Sequence, residues 1–232
     1  MDFYRNENEN KQSVTFTNDQ NAAIDELISF IAASWSDKDF IRGLCGPGGT
    51  GKTFVTKYII ENCKYSHSVI KCTAPTHKAC RVLNNAIGNI RNVETIQSTF
   101  GLRLDLKLED FDPEKPQFNP IAGPKLDNIK LLIVDEASML PAKLVKYIIS
   151  TCKKLNIKII FQGDSFQLPP VGEKQSYAFT QCYKTNYLNE IVRQGNDNPI
   201  RDILNILRED IKNKTYRFLE FISKNRNKYF YN

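Results

Sequence analysis

The chain has 232 residues, of which 41% are hydrophobic and 25% are charged. This length suits one globular domain, or one domain that carries an insertion. No stretch approaches the roughly 20 apolar residues that a membrane span needs, and the polar N-terminus lacks the pattern of a signal or transit peptide. We therefore expect a cytoplasmic protein with no membrane partner. The abundance of Lys, Asn and Ile favours an AT-rich genome such as that of a phage, which would place the protein in the host cytoplasm.

The formal net charge of +6 is concentrated at the C-terminus. Residues 212–232 contain six Lys or Arg and one Glu, which leaves about +1 for the other 211 residues. We predict a basic, solvated tail over residues 211–232 rather than a basic binding surface.

The six cysteines form no CxxC pair and have no secretory context, so they are expected to be reduced thiols. Cys72, His77 and Cys80 have a spacing that metal ligands use, but no fourth ligand follows them. A zinc site is therefore disfavoured.

The first predicted element is a helix that follows a disordered segment over residues 1–15. Thr17 and Gln20 have the spacing of a capping box. Apolar side chains then recur at helical spacing from Ile24 to Ile31, which predicts about four turns. A short apolar strand follows at Phe40–Cys45, and a glycine-rich loop leads from it into a helix over Lys52–Asn62.

This alternation of strand and helix continues along the chain. Helices are predicted at His77–Ile87 and Pro141–Leu155, and strands at Val69–Cys72, Lys130–Val134 and Ile157–Phe161. Strands that are apolar almost throughout indicate an α/β fold, with a parallel sheet covered by helices on both faces.

One segment, residues 101–128, interrupts the alternation. Leu102, Leu104, Leu106 and Leu108 alternate with charged residues, and a proline-rich stretch follows. A period of two with one polar face predicts strand, so we expect a small inserted β-hairpin here.

The glycine-rich loop fits the pattern GxxxxGK[ST]. Such a loop turns backbone N–H groups inward to hold phosphates, at the start of a helix whose dipole favours anions. Lys52 would reach the β- and γ-phosphates, and Thr53 would bind Mg²⁺. The predicted nucleotide-binding residues are Gly46, Pro47, Gly48, Gly49, Thr50, Gly51, Lys52 and Thr53.

Two adjacent carboxylates, Asp135 and Glu136, end the apolar strand Lys130–Val134. Ligands of an open α/β sheet bind at this edge. Asp135 suits a Mg²⁺ site, and Glu136 suits a base that orients the attacking water. Together with the phosphate loop, this pair predicts hydrolysis of a nucleoside triphosphate.

Further motifs resemble those of superfamily 1 helicases of the RecD-like and Dda-like branch. Gly163–Gly172 is similar to the family's GDxxQLPPV signature, and Thr73–Ala79 to its APTHxAA segment. Thr95–Ser98 resembles the family's TIHS segment. Phe16–Gln20 and Leu188–Gln194 resemble two nucleotide-contacting motifs. The resemblance covers about residues 16–205, in the family's order, and implies a RecA-like ATPase domain over residues 16–210.

The resemblance also implies roles for individual residues. Gln167 and Arg193 would sense the γ-phosphate of ATP, and Gln20 would read the adenine. Single-stranded DNA would lie along the segments Thr73–Ala79 and Thr95–Ser98, and the motor would move along it in the 5′ to 3′ direction. The implied nucleic-acid contacts are Pro75, Thr76, His77, Thr95, Gln97 and Ser98. The sequence leaves RNA open as the strand, since both polymers present phosphates.

The sequence departs from the family's pattern in two places. Gln97 stands where the family usually has His. The family also has a second RecA-like domain, and nothing in residues 211–232 supplies it. We therefore expect a motor domain that is truncated or is completed by a separately encoded half, for which unwinding by this chain alone is doubtful. The alternatives are a non-motor, ATP-dependent nucleic-acid-binding or regulatory module and, far behind, a small-molecule kinase.

Several residues also have a second interpretation. His77 could be an ordinary solvent-facing helix residue, and Gln20 could simply complete its helix cap. Arg193 could pair with a nearby carboxylate, either Glu190 or Asp197. Two aromatic residues could equally stack on bases or belong to the core; these are Phe100 and Phe166.

Overall fold

The structure of the protein is a computed structural model. It describes residues 15–88, 93–104, 118–167, 170, 173, 175–192 and 200–224. The predicted disorder of residues 1–15 therefore falls almost wholly outside the described residues. No helix in these ranges is long and apolar enough to cross a membrane.

Helix α1 spans Asn18–Ala32 and begins with the predicted capping box. The Gln20 N–H donates to the Thr17 hydroxyl (3.3 Å), and the Thr17 N–H donates to the Gln20 side-chain oxygen (3.0 Å). These two bonds satisfy backbone donors that the first turn of a helix would otherwise leave open. The N-terminal cap is thus confirmed.

The central sheet has six parallel strands in the order β3-β2-β6-β7-β1-β8. The strands are β1 (Ile41–Cys45), β2 (Ile70–Ala74), β3 (Glu94–Thr95), β6 (Leu131–Val134), β7 (Lys158–Gly163) and β8 (Lys184–Tyr187). Because β7 lies between β1 and β6, the segments that follow these three strands emerge side by side at the carboxyl edge. The predicted parallel α/β sheet is confirmed.

Helices cover both faces of the sheet. The apolar side chains of β6 show the division, since Leu131 and Ile133 join one core cluster while Leu132 and Val134 join the other. The first cluster packs against α1, α2 and α3, and the second against α4, α5 and α6. The helices are α2 (Lys52–Asn62), α3 (His77–Ala86), α4 (Ile96–Thr99), α5 (Ala142–Lys154) and α6 (Tyr177–Thr180).

The predicted insertion contains a second, two-stranded sheet. Strand β4 (Leu102–Leu104) pairs antiparallel with β5 (Phe118–Pro120). The alternating residues Leu106 and Leu108 lie outside the described residues. The backbone N–H of Ile121 donates to the Gly101 carbonyl (2.8 Å), which ties the returning strand to the start of the insertion.

The described part of the C-terminal segment contains two helices, α7 (Ile200–Asn213) and α8 (Arg217–Lys224). Helix α8 and the last three residues of α7 lie within residues 211–232, the segment predicted as a basic tail. Asp210 links them, because its carboxylate accepts bonds from the Phe218 N–H (2.6 Å) and the Thr215 hydroxyl (2.5 Å). Charge alone could not predict this turn, which depends on a single capping carboxylate.

A buried lysine joins the sheet to α1. Lys158 begins β7, is 1% exposed, and donates from its ammonium to the carbonyls of Phe30, Ile31 (3.4 Å) and Ala33 (2.6 Å). Burial lowers the pKa of Lys158 to about 8. These carbonyls end α1, where helical partners are missing, so the ammonium both satisfies them and interacts favourably with the helix dipole.

Candidate functional site

The phosphate loop connects β1 to α2 at the carboxyl edge of the sheet. Gly51 has a φ of +83°, and a Cβ there would lie 2.6 Å from the Gln20 side-chain nitrogen. A Cβ on Gly46 would lie 2.6 Å from the Leu188 carbonyl oxygen. Gly48, in contrast, is exposed and has nothing within 4 Å of such an atom. The loop is therefore tightly packed on the side that faces Gln20 and Leu188. It is open at Gly48, where a phosphate chain would approach.

Three elements hold the loop from below. The Gln20 side-chain amide donates to the Thr50 carbonyl (2.9 Å), and the Val192 N–H donates to the Gly49 carbonyl (2.9 Å). The Gly46 N–H donates to the Gly163 carbonyl at the end of β7 (3.0 Å). The loop conformation is thus fixed by residues distant from it in sequence.

Gln20 is 3% exposed, and both ends of its amide are engaged, one by the cap and one by the loop. The structure bears out its interpretation as a capping residue and adds the link to Thr50. Its role toward adenine stays a prediction.

Lys52, the first residue of α2, folds back over the loop. Its ammonium donates to the carbonyls of Gly46 (2.6 Å) and Pro47 (3.0 Å). Burial lowers its pKa, and the nearby carboxylates of Asp164, then Asp135 and Glu136, act in the opposite direction. An ammonium in this position could donate to phosphate oxygens in place of the two carbonyls.

Asp135 and Glu136 follow β6, two strands away from the loop. Burial raises the pKa of Asp135, against hydrogen bonds from the Glu136 N–H and the Gln162 amide that lower it. Burial and the negative charge of Asp135 raise the pKa of Glu136. Glu136 has a left-handed backbone (φ 51°), which costs a non-glycine residue about 1 kcal/mol. Strained residues of this kind cluster at functional sites.

Gln162 is a site residue that the sequence analysis missed. It is fully buried on β7, its amide nitrogen donates to Asp135 Oδ1 (2.9 Å), and its amide oxygen accepts from the Thr56 hydroxyl of α2. It therefore links the helix that follows the phosphate loop to the carboxylate at the end of β6. The available signal was a polar residue directly after the apolar run Ile159–Phe161.

The turn after β7 carries the GDxxQ motif. Asp164 is buried and accepts a bond from the Phe166 N–H (3.0 Å), and the Gln167 N–H donates to the Asp164 carbonyl (3.1 Å). Gln167 and Phe166 are exposed, Phe166 by 48%. The predicted residue Arg193 lies outside the described residues, although its neighbour Val192 contacts the loop as described above.

The residues present fit a magnesium ion. The two hydrogen bonds to Asp135 both reach Oδ1, so in the described part of the chain Oδ2 and the Thr53 hydroxyl have no partner. Both are oxygen ligands of the type that Mg²⁺ prefers, and Mg²⁺ usually takes only one or two protein ligands beside phosphates and water. Accordingly, no group of three or more His, Cys, Asp or Glu side chains among the described residues could hold a metal alone.

The predicted nucleic-acid contacts lie at the other end of the sheet, after β2 and β3. Thr76 and His77 are exposed at the start of α3, and the Thr76 hydroxyl caps that helix by accepting from the Ala79 N–H (3.1 Å). Thr95 is mostly buried and caps α4 through the Ser98 N–H (3.2 Å). Pro75, Gln97 and Ser98 are partly exposed.

One aromatic alternative is excluded. Phe100 is fully buried, and its ring packs edge-on against Tyr147 at 6.0 Å. The alternative in which Phe100 stacks on a base is therefore wrong, because its ring belongs to the core that packs against α5. Phe166 is 48% exposed and is therefore not a core residue, and its stacking on a base stays a prediction.

A family model described as an AAA domain matches residues 15–224. The chain belongs to that family. The chain is 32% identical over 179 residues to the ATP-dependent DNA helicase dda of Enterobacteria phage T4, and 30% identical over 158 residues to the ATP-dependent RecD2 DNA helicase of Deinococcus radiodurans. The resemblance to the RecD-like and Dda-like branch is thereby confirmed.

The fold of this AAA domain is shared with a solved helicase structure. Pif1 helicase from Bacteroides, in complex with ADP-AlF3 and ssDNA, superposes with a TM-score of 0.56 and 21% identity over 91% of the chain. The RecA-like fold is thus confirmed. The chain spans 38% of dda, 20% of RecD2 and 50% of that Pif1 chain, although the matches cover 75% and 68% of this chain for the first two.

Proposed function

We propose that the chain is the ATP-hydrolysing motor domain of a DNA helicase and that single-stranded DNA stimulates its turnover. One observation carries the proposal. The phosphate loop, the Asp135–Glu136 pair and the Asp164 turn follow three adjacent strands, and the carboxylates lie near enough to affect the pKa of Lys52. Nucleotide hydrolysis needs this combination of a phosphate cradle, a cation and acidic groups in one place.

Each residue of the site would have a separate task. The backbone N–H groups of Gly48–Thr53 and the Lys52 ammonium hold the phosphates. Thr53 and Asp135 would hold Mg²⁺, which neutralises charge on the phosphates when bound. Glu136 orients the attacking water. Gln167 and Arg193 sense the γ-phosphate, where a fixed guanidinium stabilises the charge of the transferring group.

The strand would cross the sheet edge at the starts of α3 and α4. Exposed Thr76 and His77 are accessible to it, and bonds to phosphate and sugar position a protein on a strand without reading sequence. Movement in the 5′ to 3′ direction is proposed from the family resemblance, and for the protein of which this domain forms part.

The test is steady-state ATP hydrolysis with and without an oligo-dT strand. We expect a rate that rises with DNA and that is lost in Lys52→Ala. The matched control is Lys57→Ala, further along α2, where a partly exposed lysine faces Glu61 at 3.9 Å. The opposite result would be an unmodified protein that binds Mg·ATP without hydrolysing it, with the binding lost in Lys52→Ala. That result would contradict the proposal and favour a non-motor regulatory module.

A further inference from the structure

A cluster of charged side chains surrounds α4, next to the predicted strand contacts. Glu94 lies at its centre and accepts bonds from the Lys71 ammonium (3.0 Å), the Ser98 hydroxyl (2.9 Å) and the Lys125 ammonium (3.3 Å). Lys125 comes from the returning end of the insertion, and its backbone N–H donates to the Thr99 carbonyl (2.8 Å). The insertion is thereby fixed to α4.

Within the described part of the chain, the hydrogen bonds of Lys125 leave one of its donors available. The Ser98 hydroxyl gives its only hydrogen to Glu94 and accepts from Lys125 Nζ (3.2 Å). The Lys125 ammonium has three hydrogens, of which Glu94 and Ser98 take two. Its side chain is 62% exposed, so the third hydrogen faces solvent.

The charges of the cluster favour an anion. Two lysines surround one carboxylate, which leaves a net charge of +1. Glu94 stays ionised at neutral pH, because its bonds to Lys71 and Ser98 outweigh burial and lower its pKa to about 2. Lys71 is 12% exposed, so the accessible part of this positive charge lies on Lys125.

We propose that Lys125 is a contact for a phosphate of the single-stranded nucleic-acid backbone, and that Glu94 and Ser98 are its positioning residues. The inference rests on the proposed function, to which it adds a residue of the insertion. A free lysine side chain loses considerable rotamer entropy when it is fixed on a ligand. The two bonds described above fix Lys125 in advance. They hold it against Ser98, one of the predicted contacts of α4.

The experiment measures the affinity for a fluorescein-labelled oligo-dT by fluorescence anisotropy over a series of NaCl concentrations. Loss of one phosphate contact on a single strand reduces the slope of log K against log salt by about 0.7, which corresponds to about a five-fold lower affinity at 0.1 M salt. We expect this change in Lys125→Ala. Lys125→Arg keeps the charge, so we expect the slope of the unmodified protein.

The matched control is Lys153→Ala. Lys153 is also an exposed lysine near a carboxylate, Asp37 at 3.8 Å, but it lies at the end of α5, on the amino edge of the sheet. The Lys153→Ala substitution should leave the salt slope and the affinity for oligo-dT unchanged. Nucleotide binding by each variant checks that the domain is folded.

The outcomes separate this inference from the function on which it rests. An unchanged slope in Lys125→Ala, with tight binding by the unmodified protein, would overturn the role of Lys125 alone. An equal loss in Lys153→Ala would also overturn it, because net charge would then explain the effect. No binding of the oligonucleotide by the unmodified protein at the lowest salt would contradict the proposed function itself.

Discussion

The phosphate-loop region and the nucleic-acid segments (residues 73–79 and 95–98) differ in how deeply their bonded side chains are buried. Side chains of the phosphate-loop region bond across long sequence separations and are buried, as in the Thr56–Gln162–Asp135 chain. In the nucleic-acid segments, the capping residues Thr76 and Thr95 bond three residues ahead, and the long-range bond from Lys125 reaches the partly exposed Ser98 at the surface. Phosphoryl transfer depends on groups that are fixed in advance in a water-excluded site, whereas a strand's backbone is bound by groups at the surface. The difference in packing therefore matches the difference in task.

The largest effect should come from Gln162→Leu. Leucine fills a similar volume but removes the donor to Asp135 and leaves the Thr56 hydroxyl buried without its partner. Removing a group that orients a metal ligand typically lowers metal affinity or activity about 10- to 100-fold. We therefore expect a fall of about that size in kcat for ATP hydrolysis.

The control for this substitution is Gln181→Leu, at an exposed glutamine whose amide donates to the neighbouring Thr180 hydroxyl. Mg²⁺-dependent binding of ADP should weaken in Gln162→Leu and not in the control. A kcat within two-fold of the unmodified protein would show that Asp135 is oriented without Gln162.

A smaller effect is expected for Gln20→Ala. The substitution leaves the Thr50 carbonyl without its donor and opens space beneath the loop. An unsatisfied buried group costs about 1–3 kcal/mol, so we expect ADP to bind about 10-fold more weakly, measured by calorimetry. Asn21→Ala is the neighbouring exposed control. Equal ADP affinity in both variants would show that the loop holds its conformation alone.

The smallest effect should follow Thr76→Ala, which removes the cap of α3. We expect about 1 kcal/mol less stability in urea unfolding, weaker oligo-dT binding and an unchanged ATP hydrolysis rate in the absence of DNA. Thr76→Ser keeps a capping hydroxyl and should retain the stability. A DNA-independent rate that falls with Thr76→Ala would remove the distinction between the two regions.

Sequence patterns predicted the sheet well, because its strands are apolar and its loops carry strong motifs. The capping box at Thr17, the loop before Lys52 and the strand before Asp135 all depend on short-range rules. The order of the strands in the sheet was not predicted. The position of β7 between β1 and β6 depends on tertiary packing, which local sequence patterns do not describe.

Residues with two roles were the ones that the sequence could not assign. Thr95 carries a motif match, yet its side chain is mostly buried as a cap, and Phe100 next to it is core. Gln162 and Lys158 are polar residues within a buried strand, and their partners lie on helices far away in sequence. Only tertiary contacts reveal such partners, because local patterns contain no information about them.

Helix α1 is held at both ends, which has a consequence for its opening kinetics. Its first turn is fixed through Thr17 and Gln20, and its last turn through Lys158. Helices usually exchange their terminal amide hydrogens by fraying, a low-energy local event. Fraying of α1 would instead have to break contacts with the phosphate loop or with β7. The hydrogen-bonded amide protons at the two ends of α1, such as those of Asn21 and Ala33, should therefore exchange at rates close to those of its middle, as part of one cooperative unit with the sheet.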